Sequence, residues 1–146
     1  MSQLLKNKMK IALAQLNPKV GDIKGNISKL ISIRNDLSKD VDIIVVPELY
    51  VTGYPIDDLV LRNDFLELVE NEISDLAKLT SDGKAAIILG SPRKDEDKIR
   101  NSVFVLDQGK ILSLGINIIF QILEYLMNSE FLHLVLCQAQ LKLEKH

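Results

Sequence analysis

The 146-residue chain is long enough for one domain with its own core, and its 47% hydrophobic and 26% charged content is that of an ordinary globular protein. Eighteen basic against twenty acidic residues give a net charge of −2 with no basic run, which argues against nucleic acid or an anionic membrane as the main partner. One cysteine excludes an internal disulfide and two distant histidines give no metal-ligand spacing, so a reducing, cytoplasmic setting is the default.

Residues 1–9 (MSQLLKNKM) are short and polar, with neither the apolar run nor the cleavage site of a secretory signal. Lys10 to Leu16 (KIALAQL) is apolar and stops at the Asn17-Pro18 turn signal, so it reads as a buried strand. Asn26 is a candidate N-cap for a helix carrying Ile27, Leu30 and Ile31 on one face. Asp42 to Val46 is too short and too β-branched for a helix and reads as a second buried strand. Asp57 or Asp58 then opens a longer helix, in which Phe65, Leu68, Val69, Ile73, Leu76 and Ala77 recur at three- and four-residue steps.

Ala85 to Leu89 is a third strand, stopped by Gly90 and Pro92. Ser102 to Leu106, the turn Asp107-Gln108-Gly109-Lys110, and Ile111-Leu112 form a hairpin. This is an α/β order, and continuous apolar strands imply a sheet covered on both faces, with helices on at least one side.

The composition changes after Lys110. Only five charged residues (Glu124, Glu130, Lys142, Glu144 and Lys145) lie beyond it. The uncharged stretch Ile111 to Leu123 is thirteen residues, short of the roughly 20 a membrane span needs. From Ile116 to Leu143 no Gly or Pro interrupts an apolar-rich helical pattern that is foreign to the strand-turn rhythm before it. Two parts follow: residues 9–112 as an α/β domain and 113–146 as a divergent apolar helical tail.

The chemical signal lies in "IIVVPELYVTGYP" (Ile43 to Pro55), where a buried strand runs into Pro47 and a carboxylate. In open α/β sheets, functional groups stand just beyond the carboxyl ends of strands. Glu48 occupies that place, and desolvation by the strands beneath it would favour its work as a general base. Tyr50 and Tyr54 are candidates for the walls of a crevice, and Gly53-Tyr54-Pro55 turns the chain away. A glutamate here can equally cap the next helix or pair with an arginine.

"KIALAQLNPKVGDIKGNISKL", "VVPELYVTGYPIDDLVLRNDF", "AAIILGSPRK" and "IRNSVFVLDQGKI" together resemble the opening half of a nitrilase-superfamily (carbon-nitrogen hydrolase) domain. The "DDLVLRNDF" continuation and the hairpin are similar to the glutamine-amidase domain of glutamine-dependent NAD synthetases. The resemblance covers residues 9–112 and implies part of an α-β-β-α sandwich with a Glu-Lys-Cys catalytic set. It also implies glutamine as substrate, with a thiolate attacking the side-chain amide, a base activating the thiol and then water, and an ammonium stabilising the oxyanion. Glu48 matches the base. Tyr54, as a candidate wall of the crevice, is the one candidate substrate contact and comes from the local reading rather than the resemblance. ATP and magnesium belong to the synthetase domain of that family, so no cofactor is expected in this chain.

The other two groups have no match. The family lysine precedes an "LPNYGVF"-like segment, and here no lysine lies between Lys110 and Lys142. Lys110 sits in the hairpin turn, where solvation is its ordinary role. Cys137, in "HLVLCQAQL", has the setting of a small buried hydrophobe rather than a reactive thiol, and His133 four residues earlier is unsupported as its partner. The expectation is a truncated domain that leaves the family pattern near Leu112, inactive alone, and prone to self-association through uncovered apolar faces. A stand-alone amidase or carbamoylase, or a non-catalytic remnant acting only through association, are the other readings.

Overall fold

The computed structural model describes residues 9–37 and 41–116. Its chain order is β1 (Ile11–Leu13), α1 (Ile23–Leu37), β2 (Ile43–Val45), a 3₁₀ turn (Asp57–Leu61), α2 (Asn63–Leu79), a second 3₁₀ turn (Thr80–Asp82), β3 (Ala86–Asp95), β4 (Lys98–Asp107) and β5 (Lys110–Ile116). The five strands form one sheet in the order β1-β2-β3-β4-β5. β1, β2 and β3 run parallel, and β3, β4 and β5 antiparallel. The expected α/β architecture is present.

Two successive right-handed β-α-β crossovers that step in one direction leave both helices on the same face of the sheet. That face holds the core. Ile44 pairs with Ile87, Ile87 with Leu106, and Leu89 with Phe104, and all of these side chains are buried against Ile23, Ile27 and Leu30 of α1 and Val69, Ile73 and Leu76 of α2. Each such burial stabilises the fold by about 1.5–3 kcal/mol.

The opposite face is as apolar but is covered by no helix among the described residues. Leu13 pairs with Val45, Val45 with Ile88, and Ile88 with Val105 across it, and Leu13 is 65% exposed. Val45, Val103 and Val105 are half-buried. Coverage of both faces, expected from the continuous apolar strands, is therefore absent within the described residues. Nor is any described helix long and apolar enough to cross a membrane.

Several local expectations change. The strand over Lys10–Leu16 shortens to Ile11–Leu13. Asn26 is not the N-cap of α1. The helix begins three residues earlier, and Asp22 caps it by accepting the Gly25 amide at 3.1 Å. A side chain at Gly25 would meet that carboxylate, so this glycine makes room for the cap. Asp57 and Asp58 open only the 3₁₀ turn, and α2 starts at Asn63. On α2, Leu66 is buried, Leu68 faces out and Phe65 packs at the margin of the core.

Gly90 and Pro92 do not stop β3, which runs to Asp95. Ile88 turns its carbonyl to β2, accepting from Val46 at 3.0 Å. Gly90 and Pro92, two and four residues on, turn their backbones to the same side, beyond the end of β2. The N–H that Pro92 lacks is therefore missed by no neighbour. The second hairpin strand extends from the expected Ile111-Leu112 to Ile116, with a register shift at Val105/Leu106, so residues 113–116 join the sheet rather than the tail. Its two-residue turn has Gln108 at φ 52° and Gly109 at φ 76°, the left-handed pair that a tight hairpin of this hand requires. The helical reading of 117–146 lies outside the described residues.

Candidate active site

The site grows from the end of β2. Val46 closes the parallel ladder, and Pro47 begins a turn in which the Tyr50 amide donates to the Pro47 carbonyl at 3.2 Å and the Gly53 amide to the Leu49 carbonyl at 2.8 Å. Leu49 takes a left-handed φ of 53°, a conformation costing about 1–2 kcal/mol for a residue with a Cβ, which its surroundings must hold. The result lifts Glu48 out of the strand onto the uncovered face. A Cβ on Gly90, which would point to that face, would lie 3.0 Å from the Leu49 nitrogen and 3.1 Å from the Glu48 Cα. The missing side chain is what lets the turn cross over β3.

Behind Glu48 the turn is bolted to α1. Asn26, buried in the first turns of that helix, accepts the Lys19 amide at 2.8 Å and donates to the carbonyls of Lys19 (2.9 Å) and Val51 (3.0 Å). The Tyr50 hydroxyl donates to the Asn26 carbonyl at 2.9 Å. Gly53, at φ 76°, lies so close to the preceding loop that a Cβ would sit 2.7 Å from the Val20 Cα. Thus "LYVTG" buttresses the carboxylate.

This corrects the expectation for Tyr50: it lines no crevice but is fully buried in the core, where burial pushes its hydroxyl's pKa up. Tyr54 is 76% exposed and forms no hydrogen bond with the described residues, while the Tyr54–Pro55 peptide bond is cis. Glu48 is itself exposed rather than desolvated by the strands beneath it, because the face on which it stands is open.

Glu48 Oε1 accepts a hydrogen bond from Asn101 Nδ2 of β4. Asn101 pairs with Pro92, two residues past Gly90, and so projects on the same open face. Its role was invisible in the sequence, since only the β3–β4 register places it there. Lys110, exposed, pairs with Asp107, six residues along β4 from Asn101. At about 3.3 Å per residue that is about 20 Å from the carboxylate's partner. Cys137, His133 and Lys142 lie outside the described residues. Among the described residues no group of three or more His, Cys, Asp or Glu side chains could hold a metal.

Away from the site, Arg34 is the one buried cation among the described residues. Its Nε donates to the Ala85 carbonyl at 2.7 Å, and its two terminal nitrogens donate to Asp82 at 2.8 and 3.0 Å. That fork lowers the pKa of Asp82 to about 2, chiefly through the hydrogen bonds. It ties the end of α1 to the strand start that carries β3 beneath the Glu48 turn.

The fold recurs in known proteins. The chain is 35% identical over 108 residues to glutamine-dependent NAD(+) synthetase of Thermotoga maritima, and 35% identical over 109 residues to that of Synechocystis. These matches use 73% and 69% of this chain but 19% of each relative, so the chain spans about a fifth of their length. The solved glutamine-dependent NAD+ synthetase of Acinetobacter baumannii superposes with a TM-score of 0.66 at 34% identity, over 74% of this chain and 20% of that one. An amidase from Nesterenkonia shares the fold (TM-score 0.63, 17% identity), over 75% of this chain and 42% of its own. The carbon-nitrogen hydrolase family matches residues 10–123, and the chain belongs to that family.

Proposed function

We propose that the chain carries the base-bearing part of a glutamine-hydrolysing site of the kind that supplies ammonia to glutamine-dependent NAD(+) synthetase, with Glu48 as general base. What supports the reading is the placement of Glu48. It stands at the carboxyl end of a parallel strand, held by a buried buttress yet presented on an open face. The roughly 35% identity to the synthetases, against 17% to the amidase, favours the synthetase branch over a stand-alone amidase or carbamoylase.

In this reading Glu48 takes the proton of an attacking thiol and returns it to the departing ammonia, then takes a proton from the water that opens the thioester. No lysine forms an ion pair with Glu48 among the described residues, and the sequence offers no match for the lysine that would steady the oxyanion. The chain alone is accordingly inactive towards glutamine, and its setting is a reducing, cytoplasmic one. In this reading Tyr54, exposed beside the turn, contacts the substrate. ATP and magnesium serve the ammonia-consuming amidation elsewhere, and this chain takes no cofactor of its own.

Ammonia release from glutamine by the purified chain, with Glu48→Gln and Cys137→Ala beside it, tests this. No release by any of the three is expected. Release by the parent chain that Cys137→Ala abolishes would overturn the inactive reading and make Cys137 the nucleophile.

A further inference from the structure

We propose that Asn101 is the positioning residue of the Glu48 carboxylate, with Gly90 as the gap through which the two meet; this rests on the reading of Glu48 as the base. The two residues are far apart in sequence and come from strands that do not touch. β3 lies between β2 and β4. A contact across an intervening strand requires that nothing project from that strand between them. Gly90 supplies the vacancy, since its Cβ would run into the Glu48–Leu49 backbone at 3.0–3.1 Å. Pro92, directly opposite Asn101, closes the far side with a short rigid ring.

The chemistry gives the contact its purpose. The last torsion of a glutamate is broad and roughly two-fold, so an exposed carboxylate has no preferred plane of its own. One donor on Oε1 fixes that plane. Oε2 accepts no hydrogen bond from the described residues and is left as the proton-accepting oxygen. The donor is also neutral. An arginine or lysine there would hold the carboxylate in its ionised form far more strongly and blunt its basicity. A carboxamide orients without quenching. Asn101 Nδ2 makes no other hydrogen bond within the described residues, so the side chain has no competing task.

The test is NMR on the full chain labelled with ¹⁵N and ¹³C, with the methyl signals of Ile44 and Ile87 reporting that the core is intact. In the parent, the two Glu48 γ-protons should be inequivalent and one Asn101 Nδ2 proton displaced downfield. Asn101→Ala should average the Glu48 γ-protons. Glu48→Ala should return the Asn101 amide protons to the free-carboxamide position, and Gly90→Ala should do both. A Glu48 side chain that stays ordered in Asn101→Ala overturns the proposal. An Asn101 amide unmoved in Glu48→Ala does so equally, and that arm decides the matter if Asn101→Ala does not fold. None of these signals depends on glutamine turnover, so the assay for the proposed function can fail or succeed separately.

Discussion

The hydroxyl of Tyr50 donates to the carbonyl of Asn26 at 2.9 Å, while the Asn26 carboxamide donates to the carbonyl of Val51, the residue after Tyr50, at 3.0 Å. The turn that carries Glu48 and the first turns of α1 thus hold each other through two buried polar groups in opposite directions. Removing the hydroxyl leaves the Asn26 carbonyl without this donor in a site closed to water. Tyr50→Phe is therefore expected to lower stability by about 1–3 kcal/mol with no change in the fold, measured by urea unfolding. An unchanged midpoint would show that water replaces the bond.

Gly53 and Gly83 separate two reasons for a glycine. Both have left-handed φ values, 76° and 71°, but a Cβ on Gly83 meets nothing within 4 Å whereas one on Gly53 would strike the Val20 backbone. Gly83→Ala should cost about 1–2 kcal/mol, the conformational term alone. Gly53→Ala should cost about 1–3 kcal/mol more, because the loop it presses on must move. Equal losses would place the Gly53 turn farther from Val20 than the structure has it.

Asp82 governs stability on the acid side. Its folded pKa is depressed to about 2 from 3.8, so the stabilisation from its fork with Arg34 is complete above the unfolded value. It is lost as the pH falls from about 4 through about 2. The parent should lose stability across that window, and Asp82→Asn should start lower and lose less. Its side chain is 35% exposed, so the difference is expected to be modest and reduced by salt. Parallel acid unfolding curves for the two proteins would contradict the assignment.

The open sheet face is expected to drive association. Leu13, Val45, Ile88 and Val105 form one apolar row across four strands, and such rows are normally covered. The purified chain should sediment as concentration-dependent oligomers, and Leu13→Lys with Val105→Thr should shift it towards monomer. A parent chain that stays monomeric as its concentration is raised would show that the face needs no partner.

What the sequence disclosed, and what it hid, follows from the range of each interaction. β2 was legible because Ile43, Ile44 and Val45 are β-branched or bulky and bounded by polar residues and proline. The β4–β5 turn was legible because Gln108-Gly109 carries its own backbone requirement. Gly90 and Pro92 misled, since they are strand breakers only where both sides of a strand are paired, and β2 ends before it reaches them. Asn26 and Asp22 offer the same capping chemistry four residues apart. Only the packing of the Tyr50 turn against α1 decides that Asp22 caps and Asn26 clamps. The turn between Asp95 and Lys98 hid inside an acidic run that looks solvated. Asn101 had no local signal at all, because its partner is chosen by register across three strands.

The most direct test of Glu48 as a working base transplants the described fold into a functional setting. Residues 10–116 would replace the matching segment of the Thermotoga maritima glutamine-dependent NAD(+) synthetase, and ammonia release from glutamine would be followed with and without Glu48→Gln. Loss of a general base should lower the rate by about 10²–10⁴-fold, with the substituted chimera still folded. A Glu48→Gln chimera that releases ammonia as fast as its parent would contradict the account.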